Sequence, residues 1–117
     1  MTGPEMSGTA RQRVCFLMQV RADRVAEYKL AHQAVWPDMQ HALQETGWHN
    51  YSLFIRESDG LAVGYLETDD FDAALAGMAV REVNDRWQQA MSDFFPASDG
   101  SRPDQNMVQL TEYFHLS

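Results

Sequence analysis

The chain has 117 residues, 44% hydrophobic and 22% charged, the composition of one globular domain rather than of a disordered chain. Nine Lys and Arg against seventeen Asp and Glu leave a net charge of −8. That balance makes nucleic acid and anionic membrane surfaces poor partners and leaves neutral small molecules open.

No apolar run approaches the roughly 18–20 residues of a membrane helix. Cys15 is the single cysteine, so there is no internal disulfide, and no Cys/His cluster has the spacing of a structural zinc site. Residues 1–12 are rich in Gly, Ser, Thr and Pro without a period and are expected to form a flexible tail. The opening MTGPEMSGTARQR lacks the apolar centre of a signal peptide, which leads to the expectation of a reduced, cytoplasmic setting. Residues 13–117 are expected to form a single domain.

Within that domain, Val14–Val20 (VCFLMQV) is an apolar run bounded by β-branched residues and predicts a buried strand. A helix follows, with Asp23 as its expected cap and Val25, Tyr28, His32, Val35, Met39 and Leu43 along one stripe. Pro37 should kink that helix or restart it, and Gly47 ends it. In Trp48–Arg56, alternation puts His49, Tyr51, Leu53 and Ile55 on one strand face. Asp59-Gly60 is a tight-turn signal joining this strand to Leu61–Glu67 as an antiparallel hairpin.

Asp69 and Asp70 open a helical region expected to run through Gly77. A second helix is expected from Val80, with Val83, Trp87, Met91 and Phe94 on one face and Pro96 as its stop. After the polar loop ASDGSRPDQN, the segment VQLTEYFHL alternates, so Val108, Leu110, Phe114 and Leu116 are expected to share a strand face. The order β-α-β-β-α-β is the ferredoxin-like split-βαβ arrangement, an α+β fold. Its four-stranded antiparallel sheet carries helices on one face. A chain this short has nothing left to cover the other face, which predicts a homodimer packed through the open sheet.

Phosphate-binding glycine loops, HExxH and GxSxG are absent. The chemistry emerges once the elements are placed. Tyr28 and His32, four residues apart, stack on the inner side of the first helix. Tyr51 points back at them from its strand, and Trp87 lies on the inner stripe of the last helix. Such rings suit a sugar, whose C–H faces lie on aromatic planes while its hydroxyls need donors and acceptors, and histidine moves a proton near neutral pH. Each residue also has a structural reading. A histidine on an apolar stripe can be a satisfied core residue, Trp87 can be core, and both tyrosines can be core residues with hydroxyls at the surface. Trp36 is expected to pack over the break at Pro37, Cys15 to be an inert small hydrophobe, and His115 to lie on the alternate face of the last strand. Asp69, Asp70 and Asp72 read as helix-start charges rather than a metal site.

The segments FLMQV (Phe16–Val20), EYKLAHQAVWPDM (Glu27–Met39), HNYSLF (His49–Phe54) and DRW (Asp85–Trp87) resemble the L-rhamnose mutarotase family, dimeric ferredoxin-like sugar epimerases. The resemblance covers nearly everything from Val14 to Leu116. It implies that Tyr28 and Tyr51 bind the sugar, that His32 is the proton donor, and that Trp87 contacts the ring. Where the family carries a second adjacent tryptophan, this chain has Gln88, an amide that can bond hydroxyls. That departure leaves the sugar open between L-rhamnose and another 6-deoxyhexose such as L-fucose. Mutarotation opens and recloses the ring, with no redox change, so no cofactor or metal is expected. On this reading His32 protonates the ring oxygen, and a tyrosine hydroxyl or water handles the anomeric proton. The same fold also hosts dimeric α+β barrel monooxygenases acting on aromatic substrates and non-catalytic ligand-binding modules, the two competing readings.

Overall fold

A computed structural model describes residues 11–96, 103 and 106–117. Most of the expected tail therefore lies outside the described residues, but its end does not, because the first strand, β1, starts at Gln12 and runs to Gln19. A 3-10 turn at Ala22–Arg24 leads into α1 (Val25–His32), followed by α2 (Pro37–Glu45), β2 (His49–Arg56) and β3 (Leu61–Thr68). Then come α3 (Phe71–Ala79), α4 (Glu82–Met91), a 3-10 turn at Ser92–Phe94 and β4 (Val108–Leu110). The strands form one antiparallel sheet in the order β2-β3-β1-β4, the ferredoxin-like arrangement.

Alternation decides which face the helices cover. Val14 and Phe16 of β1 and Ala62, Leu66 and Thr68 of β3 are buried beneath them, together with Met39, Trp48, Phe71, Ala74 and Met78. Gly64 is opposite Phe16 in the register, and a Cβ there would stand 2.3 Å from the Phe16 ring. The glycine lets that ring lie flat across the sheet. Gly60 takes a φ of +81° in the β2–β3 turn, where the Arg56–Asp59 ion pair and the Asp59 carboxylate on Leu61 N–H fix the reversal.

The helix starts reflect separate solutions to the same need, a partner for exposed backbone N–H groups. Proline settles α2: it sits in the first turn, so the helical stretch restarts at Pro37 instead of kinking through it. Asp70 caps α3 by accepting from Ala73 N–H, and the Gln12 side chain accepts from Phe71 N–H. Asp23 does not cap α1. It lies within the 3-10 turn and pairs instead with Arg21. Helix α3 runs past Gly77 to Ala79, and α4 starts at Glu82 rather than Val80, which is left 82% exposed in the link.

Two further expectations are corrected. β4 stops at Leu110, and residues 111–117, including Phe114, His115 and Leu116, are exposed and form no strand. β1 itself continues: with Cys15 opposite Leu110, its residues Val14, Arg13 and Gln12 extend past the end of β4 without backbone pairing on that edge, and Arg13 meets Glu112 through a side-chain ion pair instead. In β2, the register slips between His49 and Ser52, where Asn50 adopts a φ of +47°. This bulge sets His49 opposite Glu67 and takes it out of alternation with Tyr51, so the two do not share a face.

Candidate active site

Between the helices and the sheet lies a cavity of about 650 Å³, within the usual size range of small-molecule sites. Tyr28 and His32 of α1, Tyr51 of β2, and Trp87 and Gln88 of α4 all line it. The spacing of Tyr28 and His32 on α1 puts their ring centroids 4.4 Å apart. Trp87 meets the His32 ring edge-on at 5.4 Å, and Trp36 meets Trp87 edge-on at 5.0 Å. Phe94 and Phe95 pack edge-on against Tyr28, while Tyr51 leans on Trp48 and Phe16. Edge-to-face rings hold one another rigidly without filling the space between them, which is how a pocket survives in a small core. Trp36 therefore does more than cover the break before α2, because it backs the ring that faces the cavity.

The hydrogen-bonding of His32 fixes its chemical form. Nδ1 lies 3.0 Å from the Tyr28 carbonyl oxygen. A carbonyl only accepts, so Nδ1 carries the hydrogen, and in the neutral ring the lone pair sits on Nε2, away from the helix backbone. Burial pushes the His32 pKa below its ordinary value, opposed in part by that carbonyl. The described residues lining the cavity include no Asp, Glu, Lys or Arg, so no lining carboxylate is present to hold an imidazolium. Burial also pushes the Tyr28 hydroxyl up to about 12 and raises that of Tyr51, which keeps both protonated as hydrogen-bond donors.

Gln88 is buried, and its Nε2 donates to Asn84 Oδ1 at 3.1 Å. Asn84, 2% exposed and also lining the cavity, was not legible as a site residue. The one signal available was its place three residues before Trp87 and four before Gln88, on the inner side of α4. Among the described residues, no group of three or more His, Cys, Asp or Glu is placed to hold a metal ion, and no helix is long and apolar enough to cross a membrane.

Comparison with known proteins agrees with this architecture. A family model for L-rhamnose mutarotase matches residues 13–116. The chain is 34% identical to the L-rhamnose mutarotase of Bacillus subtilis (strain 168) over 105 residues, 90% of this chain and 98% of that protein. It is 36% identical to that of Opitutus terrae over 106 residues, 89% and 97% of the two chains. In three dimensions it resembles the crystal structure of an L-rhamnose mutarotase from Formosa agariphila, with a TM-score of 0.75, 23% identity, and coverage of 91% of this chain and 99% of that one. The match along nearly the whole length, together with the shared fold, places the protein: the chain belongs to the L-rhamnose mutarotase family.

Proposed function

We propose that this protein is a sugar isomerase that interconverts the α and β anomers of L-rhamnose, or of a related 6-deoxyhexose such as L-fucose, by opening and reclosing the ring. The observation that carries the reading is a ring-walled cavity with one neutral histidine as its acid–base group. In ring opening, the Nε2 lone pair of His32 takes the proton from the anomeric hydroxyl as the bond from the anomeric carbon to the ring oxygen breaks. The imidazolium so formed then hands that proton to the ring oxygen. One proton leaves one oxygen and one reaches the other, so the step balances with no redox change. In this scheme His32 protonates the ring oxygen only after taking the anomeric proton itself, in place of a tyrosine hydroxyl or water. The hydroxyls of Tyr28 and Tyr51 bind the sugar and steady the oxygen on which charge develops. Trp87 supplies the apolar plane for the ring face.

A homodimer through the open sheet face fits the same picture. Cys15 and Leu17 of β1 face Leu110 and Val108 of β4 in the register, beside Val63 and Tyr65 of β3 and Phe54 of β2, with Phe54, Val108 and Leu110 exposed. A patch of this kind on a small protein calls for a partner, and a reduced, cytoplasmic setting suits the free Cys15 on it. Size-exclusion chromatography with light scattering checks the assembly.

The function is tested by NMR saturation transfer between anomers of L-rhamnose and L-fucose, with and without protein. Faster exchange is expected for at least one of them. An unchanged rate for both sinks the proposal.

A further inference from the structure

Two amides on consecutive turns of α4, Asn84 and Gln88, line the cavity along with Leu75, Met78 and Met91. Asn84 Nδ2 donates to the Met78 carbonyl oxygen at 3.1 Å, and Gln88 Nε2 donates to Asn84 Oδ1 at 3.1 Å. The first bond settles which end of the Asn84 amide is nitrogen, since a backbone carbonyl only accepts. Its oxygen then orders Gln88 in turn, so the polarity of the Gln88 amide is set by a relay anchored on the α3 backbone. A helix end can be satisfied without a second buried amide, and burying one is costly where apolar packing is available. An indole plane accepts any ring face, whereas an amide bonds hydroxyls in particular directions.

We propose that Gln88 determines specificity by reading one hydroxyl of a neutral aldose, and that Asn84 is the positioning residue that sets the direction of its amide. This rests on the mutarotase reading above and adds which end of the cavity ranks the sugars: the α4 end, not His32.

The test measures anomer exchange by saturation transfer for four sugars: L-rhamnose, L-fucose, L-mannose, which adds a hydroxyl at C6, and L-lyxose, which lacks C6. Wild type is compared with Gln88→Met, which keeps length and removes the amide, and with Asn84→Ala. Gln88→Met is expected to slow the sugar preferred by wild type about tenfold, the loss of one well-placed hydrogen bond, and to reorder the four. Asn84→Ala is expected to reorder them in the same direction by a smaller factor, with circular dichroism confirming the fold. A single common factor across all four sugars in Gln88→Met, the signature of a merely structural pair, overturns the proposal. Reordering by Gln88→Met with an unchanged order in folded Asn84→Ala overturns the role of Asn84. If Asn84→Ala does not fold, Gln88→Met decides alone. A wild-type protein that accelerates none of the four overturns the mutarotase reading and this inference with it.

Discussion

The same three strands support two unlike regions beneath the helices. At one, Phe16, Leu66, Trp48, Phe71 and Ala74 close into a tight core, where Gly64 admits the Phe16 ring and the Trp48 indole N–H donates to the Ala74 carbonyl. At the other, Tyr28, His32, Trp87 and Trp36 meet edge to face around an open space. Both are built from large side chains on amphipathic elements. They differ in what opposes the rings. In the first, Gly64 lets the Phe16 ring lie across the sheet and fill the layer, while Trp48 and Phe71 meet edge-on and Trp48 reaches the cavity. In the second, His32, Trp87 and Trp36 frame the open space. Stability should therefore reside in the first region and chemistry in the second.

The largest expected effect tests that division on the chemical side. His32→Gln should slow catalysed anomer exchange by about 10²–10⁴-fold, the usual contribution of a general acid–base group, with little change in melting temperature. A folded His32→Gln protein with full activity would break the comparison. Its counterpart in the packed region is Phe16→Ala, which should cost about 3–5 kcal/mol of unfolding free energy, read by denaturant titration. In the fraction that stays folded, any loss of activity should appear in KM rather than in kcat, since Tyr51 leans on Phe16.

Acidity sharpens the contrast further. Because burial lowers the His32 pKa in the folded state, the unfolded chain takes up that proton first as pH falls. The group's contribution to stability is thus present above its ordinary value of about 6.5 and is lost as pH drops towards the lower folded value. Exchange should slow over the same interval, because a protonated Nε2 cannot accept the anomeric proton. A rate that climbs on acidification would instead make His32 an acid at the outset. The smallest effect expected is that of Asp70→Ala, which removes the α3 cap and should cost about 1 kcal/mol without touching the ranking of sugars.

Much of this division can be read in the linear sequence. The apolar run of β1, the Asp59-Gly60 reversal, the restart at Pro37 and the four-residue spacing of Tyr28 and His32 each have a local cause, so a local pattern reports them. Other features depend on what lies across from them. VQLTEYFHL alternates like a strand throughout, but alternation describes a side-chain pattern and does not report where backbone pairing with β1 ends. Val80 reads as a helix start and is instead an exposed link, because Glu82 begins the turn that packs. Asn84 carries no mark of its role in the sequence, since a buried amide is recognised by its partners and not by its type. The bulge at Asn50 left no trace in hydropathy, because one extra residue in a strand alters its phase and not its composition.

That bulge has a consequence for how the site can change. His49 owes its direction to the left-handed backbone angle at Asn50, while Tyr51 keeps step with Leu53 and Ile55, and a strand side chain points to one face or the other with nothing between. A residue at position 50 that refuses a positive φ, such as valine, would favour regular pairing and carry His49 across to the Tyr51 side as a unit instead of by degrees. The wall at Gln88 can be graded one contact at a time. The strand end at His49 behaves as a switch, so sequence drift has a gentle slope on the helix side of the cavity and a cliff where β2 begins.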